Sequence, residues 1–261
     1  MKPVRAQAIP VPEQAPLVAG NRNTSLLKII ALVFMIIDHM GVRVFPHVPE
    51  LRTIGRLAFP IYCYCIVVGA CYTKCWWRYA LRIAAVGLIS QPIYIVAMNR
   101  TWQNPNIFLS LLLGLLGIVA IKEKKLYSHI WGPIAVLLLA IELKCDYGYR
   151  GVLLMMLMYA ARQNAPSLSA VMIAFCLFWG SPGSEVKSFF GIPFAFLNFR
   201  ILNSILPAFF RQQSLSLLSL PLMLMPLPQK FKMPTWLGYA LYPAHLVLIW
   251  LMVVIKAMLA Q

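Results

Sequence analysis

Residues 26–45, LLKIIALVFMIIDHMGVRVF, decide the fold class, because they form an apolar stretch long enough to cross a bilayer as one helix. Of the 261 residues in the chain, 61% are hydrophobic and 11% are charged, and the mean hydropathy is +0.76. A soluble domain of this length cannot bury so much apolar surface. Because spanning segments satisfy their own backbone hydrogen bonds, the sequence predicts an all-α, polytopic transmembrane bundle of about eight to ten helices.

Apolar runs divide the chain into candidate spans, several of which are shorter than a bilayer requires. They are Leu26–Phe45, Leu57–Tyr72, Tyr79–Met98, Ile107–Ile121, Ile130–Ile141, Gly151–Ala161, Leu168–Trp179, Phe189–Phe210, Leu215–Pro228 and Trp236–Met258. The run 189–210 is expected to be interfacial or re-entrant. Residues 1–23 are polar and Pro-rich, so we expect a disordered cytoplasmic tail with no cleaved signal peptide, followed by one membrane domain over residues 24–261.

The net charge of +16 comes from single Lys and Arg residues in short loops, which is typical of membrane-flanking cations. Nucleic-acid binding is therefore not expected. The cations are more frequent in the loops on the side of the N-terminus, which predicts a cytoplasmic N-terminus. The six cysteines lie mostly in apolar runs, and their spacing favours neither a disulfide framework nor a zinc site.

The first span carries Lys28, Asp38 and His39 at a depth where ionisable groups are expensive. Eleven helical steps bring Lys28 and His39 to one face, about 16 Å apart along the axis. An imidazole can accept and return a proton near neutral pH. Asp38 points about 100° away from His39. Either it pairs with a cation on another helix, with Arg56 as the candidate, or Gly41 marks an unwinding that brings the two together. A helix-locking salt bridge and a catalytic role both remain open for Asp38.

Two further sites carry candidate functional residues. Arg56, in the segment Gly55–Pro60, can either snorkel to the interface or bind a phosphate or carbonyl. His245 follows Pro243 in the last span, where a kink can turn polar groups toward a cavity. A packed structural histidine is the alternative for His245.

Taken together, these motifs resemble the TraX family of conjugal-transfer proteins, in which a TrbP protein is also placed. The resemblance is carried by Lys28 to His39, by Gly55 to Pro60, by Gly69, the Arg82 helix and Ser90–Tyr94, by Tyr147–Gly151, and by Pro234 to His245. It covers about half of the chain and is densest over residues 26–95. The Lys-x10-His spacing is also similar to the Arg/Lys-x10-His signature of the wider membrane acyltransferase superfamily.

The resemblance implies a multi-pass enzyme of the bacterial inner membrane that acetylates the N-terminal amine of conjugative pilin with acetyl-CoA. On this basis His39 is the main catalytic candidate, and Asp38, Arg56 and His245 complete the catalytic set. The cations Lys28, Lys74, Arg78 and Arg82 are then expected to bind the CoA moiety. Three alternatives stay open: an O-acyltransferase of an envelope glycan, another pilin-maturation step, and a non-catalytic pilus-assembly factor. A channel or transporter is disfavoured, because no inverted repeat is evident.

Overall fold

The computed structural model describes residues 18–194, 206–228 and 230–259. In chain order its α-helices are α1 (Ser25–Arg43), α2 (Pro49–Gly55), α3 (Ala58–Tyr72), α4 (Trp76–Met98), α5 (Ile107–Glu123), α6 (Ser128–Glu142), α7 (Gly148–Ala160), α8 (Ala165–Gly180), α9 (Leu206–Phe209), α10 (Ser219–Leu224) and α11 (Thr235–Leu259). Short 3₁₀ turns lie at Lys125–Tyr127 and Ser214–Leu218. Strands β1 (Ser188–Phe189) and β2 (Ile192–Pro193) form an antiparallel hairpin. The predicted all-α bundle is confirmed.

Four of the described segments are long and apolar enough to cross a membrane: Ser25–Arg43, Pro49–Tyr72, Trp76–Met98 and Trp236–Leu259. Large apolar side chains on α4, α6 and α11 remain exposed, as Leu88, Leu138 and Leu248 illustrate. Apolar surface of this extent needs a non-aqueous environment. The chain is therefore a membrane protein.

Helix α3 forms the centre of the bundle. Eleven of its 15 residues are buried, and they are distributed around the whole helix from Ala58 to Ala70. The helix contacts α1, α5 and α7. A helix that is apolar on every side can be covered by protein or by lipid. For α3 the neighbouring helices provide this cover, which places it at the centre.

Helices α1 and α11 run in the same direction, whereas α3 runs opposite to them. At one end Lys256 Nζ of α11 donates a hydrogen bond to the carbonyl of Val44, directly after α1. At the other end Tyr239 of α11 lies beside Lys28 of α1. We refer to the two ends of the bundle as the Lys28 end and the His39 end.

Polar residues within the apolar helices explain where α5 begins. The Gln91 amide of α4 accepts a hydrogen bond from Asn106 N and donates one to the Asn104 carbonyl. The Asn106 side chain in turn accepts from Phe108 N and donates to the Gly87 carbonyl. Asn106 is therefore an N-cap that is fixed to a neighbouring helix, and the role of Gln91 is structural.

Two predicted spans are corrected by the structure. The span predicted at Phe189–Phe210 begins instead with the β1–β2 hairpin, in which Gly191 has a φ of +80° that a helix cannot contain. Residues 195–205 of that prediction lie outside the described residues. The run Leu215–Pro228 is a 3₁₀ turn followed by α10, which ends at Leu224 and is too short to span.

The end of the predicted N-terminal tail is part of the folded domain. Residues 1–17 lie outside the described residues, but Val18 is buried and Asn21 is 2% exposed. The Asn21 amide donates to the carbonyls of Leu222, Met223 and Met225. Residues 18–23 therefore fasten the start of the bundle to the end of α10.

Candidate active site

Two histidines that are 206 residues apart in sequence meet at the His39 end. His39 Nδ1 of α1 lies 3.1 Å from His245 Nε2 of α11, within hydrogen-bonding distance. The rings are nearly parallel, with centroids 5.2 Å apart, and Tyr242 packs edge-on against His245. His245 is only 4% exposed, whereas His39 is half-buried and lines a cavity. His39 is thus placed to meet a substrate, and His245 is placed to orient His39.

Asp38 forms its ion pair with Arg52 rather than with Arg56. Asp38 Oδ1 lies 3.7 Å from Arg52 Nε, which is too long for a hydrogen bond, and Arg56 acts on Asp38 through its charge. The predicted partner Arg56 is therefore replaced by Arg52, which lies four residues earlier in the chain. Gly55 permits this arrangement, because a Cβ at position 55 would lie 2.3 Å from Asp38 Cβ.

A second carboxylate, Asp146, lines the same cavity as Asp38 and His39. It was missed by the sequence analysis, although it directly precedes the Tyr147–Gly151 motif and is one of only 7 acidic residues. The stacking of Tyr147 on Phe59, with centroids 3.7 Å apart, holds the start of α7 against α3. The fold thus brings a loop carboxylate to the first helix.

The electrostatic environment of Asp146 favours its protonated form. Desolvation by the surrounding protein, and then the Asp38 carboxylate, raise the pKa of Asp146 to about 6, while Arg56 acts in the opposite direction. More than a third of the Asp146 surface is nevertheless accessible, so water in the cleft limits this rise. Asp146 can therefore exchange protons with solvent near neutral pH.

Three adjoining cavities lead from the Lys28 end to this cluster. A mouth of about 430 Å³ shares Lys28, Cys65 and Tyr79 with a middle cavity of about 240 Å³. The middle cavity has a mostly apolar lining and shares Met35 and Tyr242 with the small cavity at His39, which measures about 30 Å³. The predicted alignment of Lys28 and His39 on one face of α1 thus corresponds to one row of cavities.

The structure brings together only some of the cations predicted to bind a donor. Lys28 and Arg82 line the mouth, and Arg22 joins them. Lys74 and Arg78 lie outside this lining, and the Arg78 guanidinium covers the Trp77 ring at 5.2 Å instead. Arg78 and Arg82 lie one turn apart on nearly the same face of α4, so helical phase does not separate them. The mouth reaches the level of Arg82, and Arg78 lies one turn closer to the start of the helix, outside the lining.

The motifs that build this site fall within one family match. The TraX protein family model matches residues 23–253, which covers nearly the whole chain. The chain belongs to the TraX family. Its match includes Lys28, His39, Asp146 and His245, so the whole row of cavities lies within the TraX region.

Two relatives of this TraX-family chain have been compared with it. An uncharacterized protein of Rickettsia prowazekii (strain Madrid E) is 32% identical over 100 residues, which is 38% of each chain. The "Probable fimbrial assembly protein FimC, serogroup H1" of Dichelobacter nodosus is 25% identical over 164 residues, or 57% of this chain and 67% of that protein. The match thus spans less than half of the first relative. No solved structure matches the chain.

Proposed function

We propose that this TraX-family membrane protein transfers an acetyl group from acetyl-CoA to the amino terminus of a conjugative pilin. The observation that supports this most directly is the row of adjoining cavities, which extends from a basic mouth to His39. An enzyme that uses a charged donor and reacts at a buried base needs such a connection.

The Lys28 end suits the CoA moiety. The mouth carries three cations, Lys28, Arg22 and Arg82, which can hold phosphate groups. The middle cavity, lined by Leu32, Ile83 and other apolar groups, suits a pantetheine arm. The distance of about 16 Å from Lys28 to His39 along α1 is of the order of an extended phosphopantetheine chain, which would bring the thioester to the imidazole.

The histidine pair supplies the base for acyl transfer. When His39 Nδ1–H donates to His245 Nε2, the Nε2 atom of His39 keeps its lone pair. The Leu241 and Tyr242 carbonyls interact with the His245 ring, although His245 Nδ1 makes no hydrogen bond of ordinary geometry. His39 Nε2 then accepts the proton of the attacking amine and returns it to the leaving thiol. His245 is the positioning residue.

The choice of a pilin acceptor rests on the family and on one relative. The TraX resemblance implies pilin as the substrate, and the Dichelobacter nodosus relative is described as a fimbrial assembly protein. With a cytoplasmic N-terminus, the Lys28 end would face cytosolic acetyl-CoA. The His39 end would then face the outer side of the inner membrane, where a processed pilin terminus is accessible.

The test combines intact pilin mass in cells with acetyl transfer by purified protein in lipid nanodiscs. We expect wild-type protein to add the mass of one acetyl group, and His39→Ala to abolish this at normal expression. His129→Ala is the matched control, because His129 is exposed in the first turn of α6. Full acetyl transfer by His39→Ala would refute the catalytic role.

A non-catalytic assembly factor is the second candidate, and the name of the Dichelobacter nodosus relative favours it. In that case the Asp38–Arg52 pair serves to hold α1 against α2. His39→Ala would leave pilus assembly intact, whereas Asp38→Asn would reduce protein abundance. An unchanged pilin mass in cells with and without the protein would support this candidate.

A further inference from the structure

The amine that accepts the acetyl group is protonated when it reaches the site, and a protonated amine cannot attack a thioester. An α-amino group has a pKa of about 7.7–8.0 and is mostly an ammonium ion at pH 7. Its nitrogen must lose one proton before it can attack and a second proton as the amide forms. In the proposed function His39 takes the second proton, so a different group must take the first.

Asp146 lies where such a group is needed. It lines the small cavity together with His39 and Asp38, and it is supplied by the α6–α7 loop, whereas the other two residues come from α1. The Asp38 carboxylate, whose Oδ1 atom lies 3.7 Å from Arg52 Nε, lines the same cavity and adds negative charge beside Asp146. The accessible surface of Asp146 provides the route by which a proton leaves to water.

We propose that Asp146 takes the first proton from the acceptor ammonium, and thereby directs this site to α-amino termini. The proposal rests on the proposed function. In the first step R–NH₃⁺ and the Asp146 carboxylate give R–NH₂ and the carboxylic acid. In the second, the nitrogen lone pair forms the new C–N bond while the C–S bond of the thioester breaks, and His39 carries a proton from nitrogen to the departing sulfur. Asp146 then loses its proton to water.

The charges around the cavity support removal of a proton at this point. Arg56, Arg100 and Arg52 lie close enough to act on the Asp146 carboxylate. Their positive charges disfavour a further positive charge on the acceptor. Several titratable and charged groups surround Asp146. They are Asp38 and His39 on α1, Arg52 on α2, Arg56 before α3, Tyr94 on α4, Arg100 after α4, Tyr242 on α11, and the neighbouring Cys145 and Tyr147. The two carboxylates of the cavity can attract the acceptor ammonium, and the arginines act against the positive charge, which favours loss of the proton.

The same arrangement distinguishes an amino terminus from a lysine side chain. The pKa of Asp146, about 6, lies roughly two units below that of an α-amine but more than four units below that of lysine, about 10.4. Proton transfer from lysine is thus roughly a hundredfold or more less favourable. We expect a peptide with a free α-amine to be acetylated far faster than an N-blocked peptide containing lysine.

The experiment compares wild-type protein with Asp146→Asn, Asp146→Glu and the control Glu142→Gln in nanodiscs loaded with acetyl-CoA. Glu142 is an exposed carboxylate at the end of α6, four residues away. Each variant is assayed with an α-amine peptide between pH 6 and 9, and with hydroxylamine, a nucleophile that is largely unprotonated at pH 7. Acetyl-CoA affinity is measured separately.

For Asp146→Asn we expect about a 100-fold lower kcat/KM with the α-amine peptide at pH 7, with recovery toward pH 9, where the amine is already neutral. Transfer to hydroxylamine and acetyl-CoA affinity should stay within twofold of wild type, and Asp146→Glu should recover part of the activity. Equal losses with both nucleophiles, or no loss with the peptide, would overturn the role of Asp146. Wild-type protein that acetylates neither nucleophile would instead refute the proposed function itself.

Discussion

Replacing His245 tests whether the histidine pair is a functional unit. His245→Phe keeps a ring against His39 and Tyr242 but removes the nitrogen that lies 3.1 Å from His39 Nδ1. Because His245 is 4% exposed, water cannot readily replace it, and the Nδ1–H of His39 loses its partner. A buried donor without a partner costs about 1–3 kcal/mol.

If that free energy is lost from the oriented imidazole in the transition state, kcat falls by roughly tenfold to a hundredfold. Acetyl-CoA affinity should stay within twofold, because His245 lies outside the basic mouth. His245→Gln offers an amide oxygen in place of the ring nitrogen and should recover part of the rate. The assay is acetyl transfer in nanodiscs under saturating donor, alongside thermal unfolding to confirm that each variant is folded.

Three results would refute the role of His245 as the residue that orients His39. A folded His245→Phe protein with wild-type kcat would show that His39 needs no partner on α11. A loss of donor affinity equal to the loss of kcat would show that the substitution deforms the cavities rather than misorients His39. If the kcat of His245→Gln does not exceed that of His245→Phe, loss of the hydrogen bond does not explain the lower rate.

Three further predictions concern the mouth and the packing of the bundle. Lys28→Ala should weaken acetyl-CoA binding about fivefold, with less effect at high salt. Lys74→Ala should leave the dissociation constant within twofold of wild type. Equal effects of the two substitutions in titration calorimetry would contradict the assigned mouth. Gly55→Ala should lower the free energy of unfolding by about 1–3 kcal/mol, because its Cβ would overlap Asp38 Cβ. An unchanged melting curve would show that α2 can move away from α1 without cost. Asn21→Ala should destabilise the protein by roughly 2–4 kcal/mol through loss of its hydrogen bonds to the end of α10. Proteolysis of residues 18–23 should become faster. Protection from proteolysis equal to that of wild type would show that Asn21 does not fasten this segment to α10.

Several features of the site could be predicted from local sequence because they follow from helix geometry. The phase of Lys28 and His39 on α1 correctly placed both on one row of cavities. Pro243 and His245 in the last span were also recognised as candidates for a polar site. Arg56, by contrast, was the predicted partner of Asp38, whereas the ion pair forms with Arg52. Arg52 lies on α2, a short helix that the sequence analysis did not predict.

The sequence by itself determined the membrane class, the all-α fold and the family-like motifs, because hydropathy and helical period are properties of neighbouring residues. Only the tertiary structure decided that His39 meets His245, that Asp146 joins Asp38, and that Arg82 rather than Arg78 faces the mouth. These contacts join residues up to 206 positions apart. They depend on which helices pack together and in what rotation about their axes, and single-sequence periodicity does not specify either quantity.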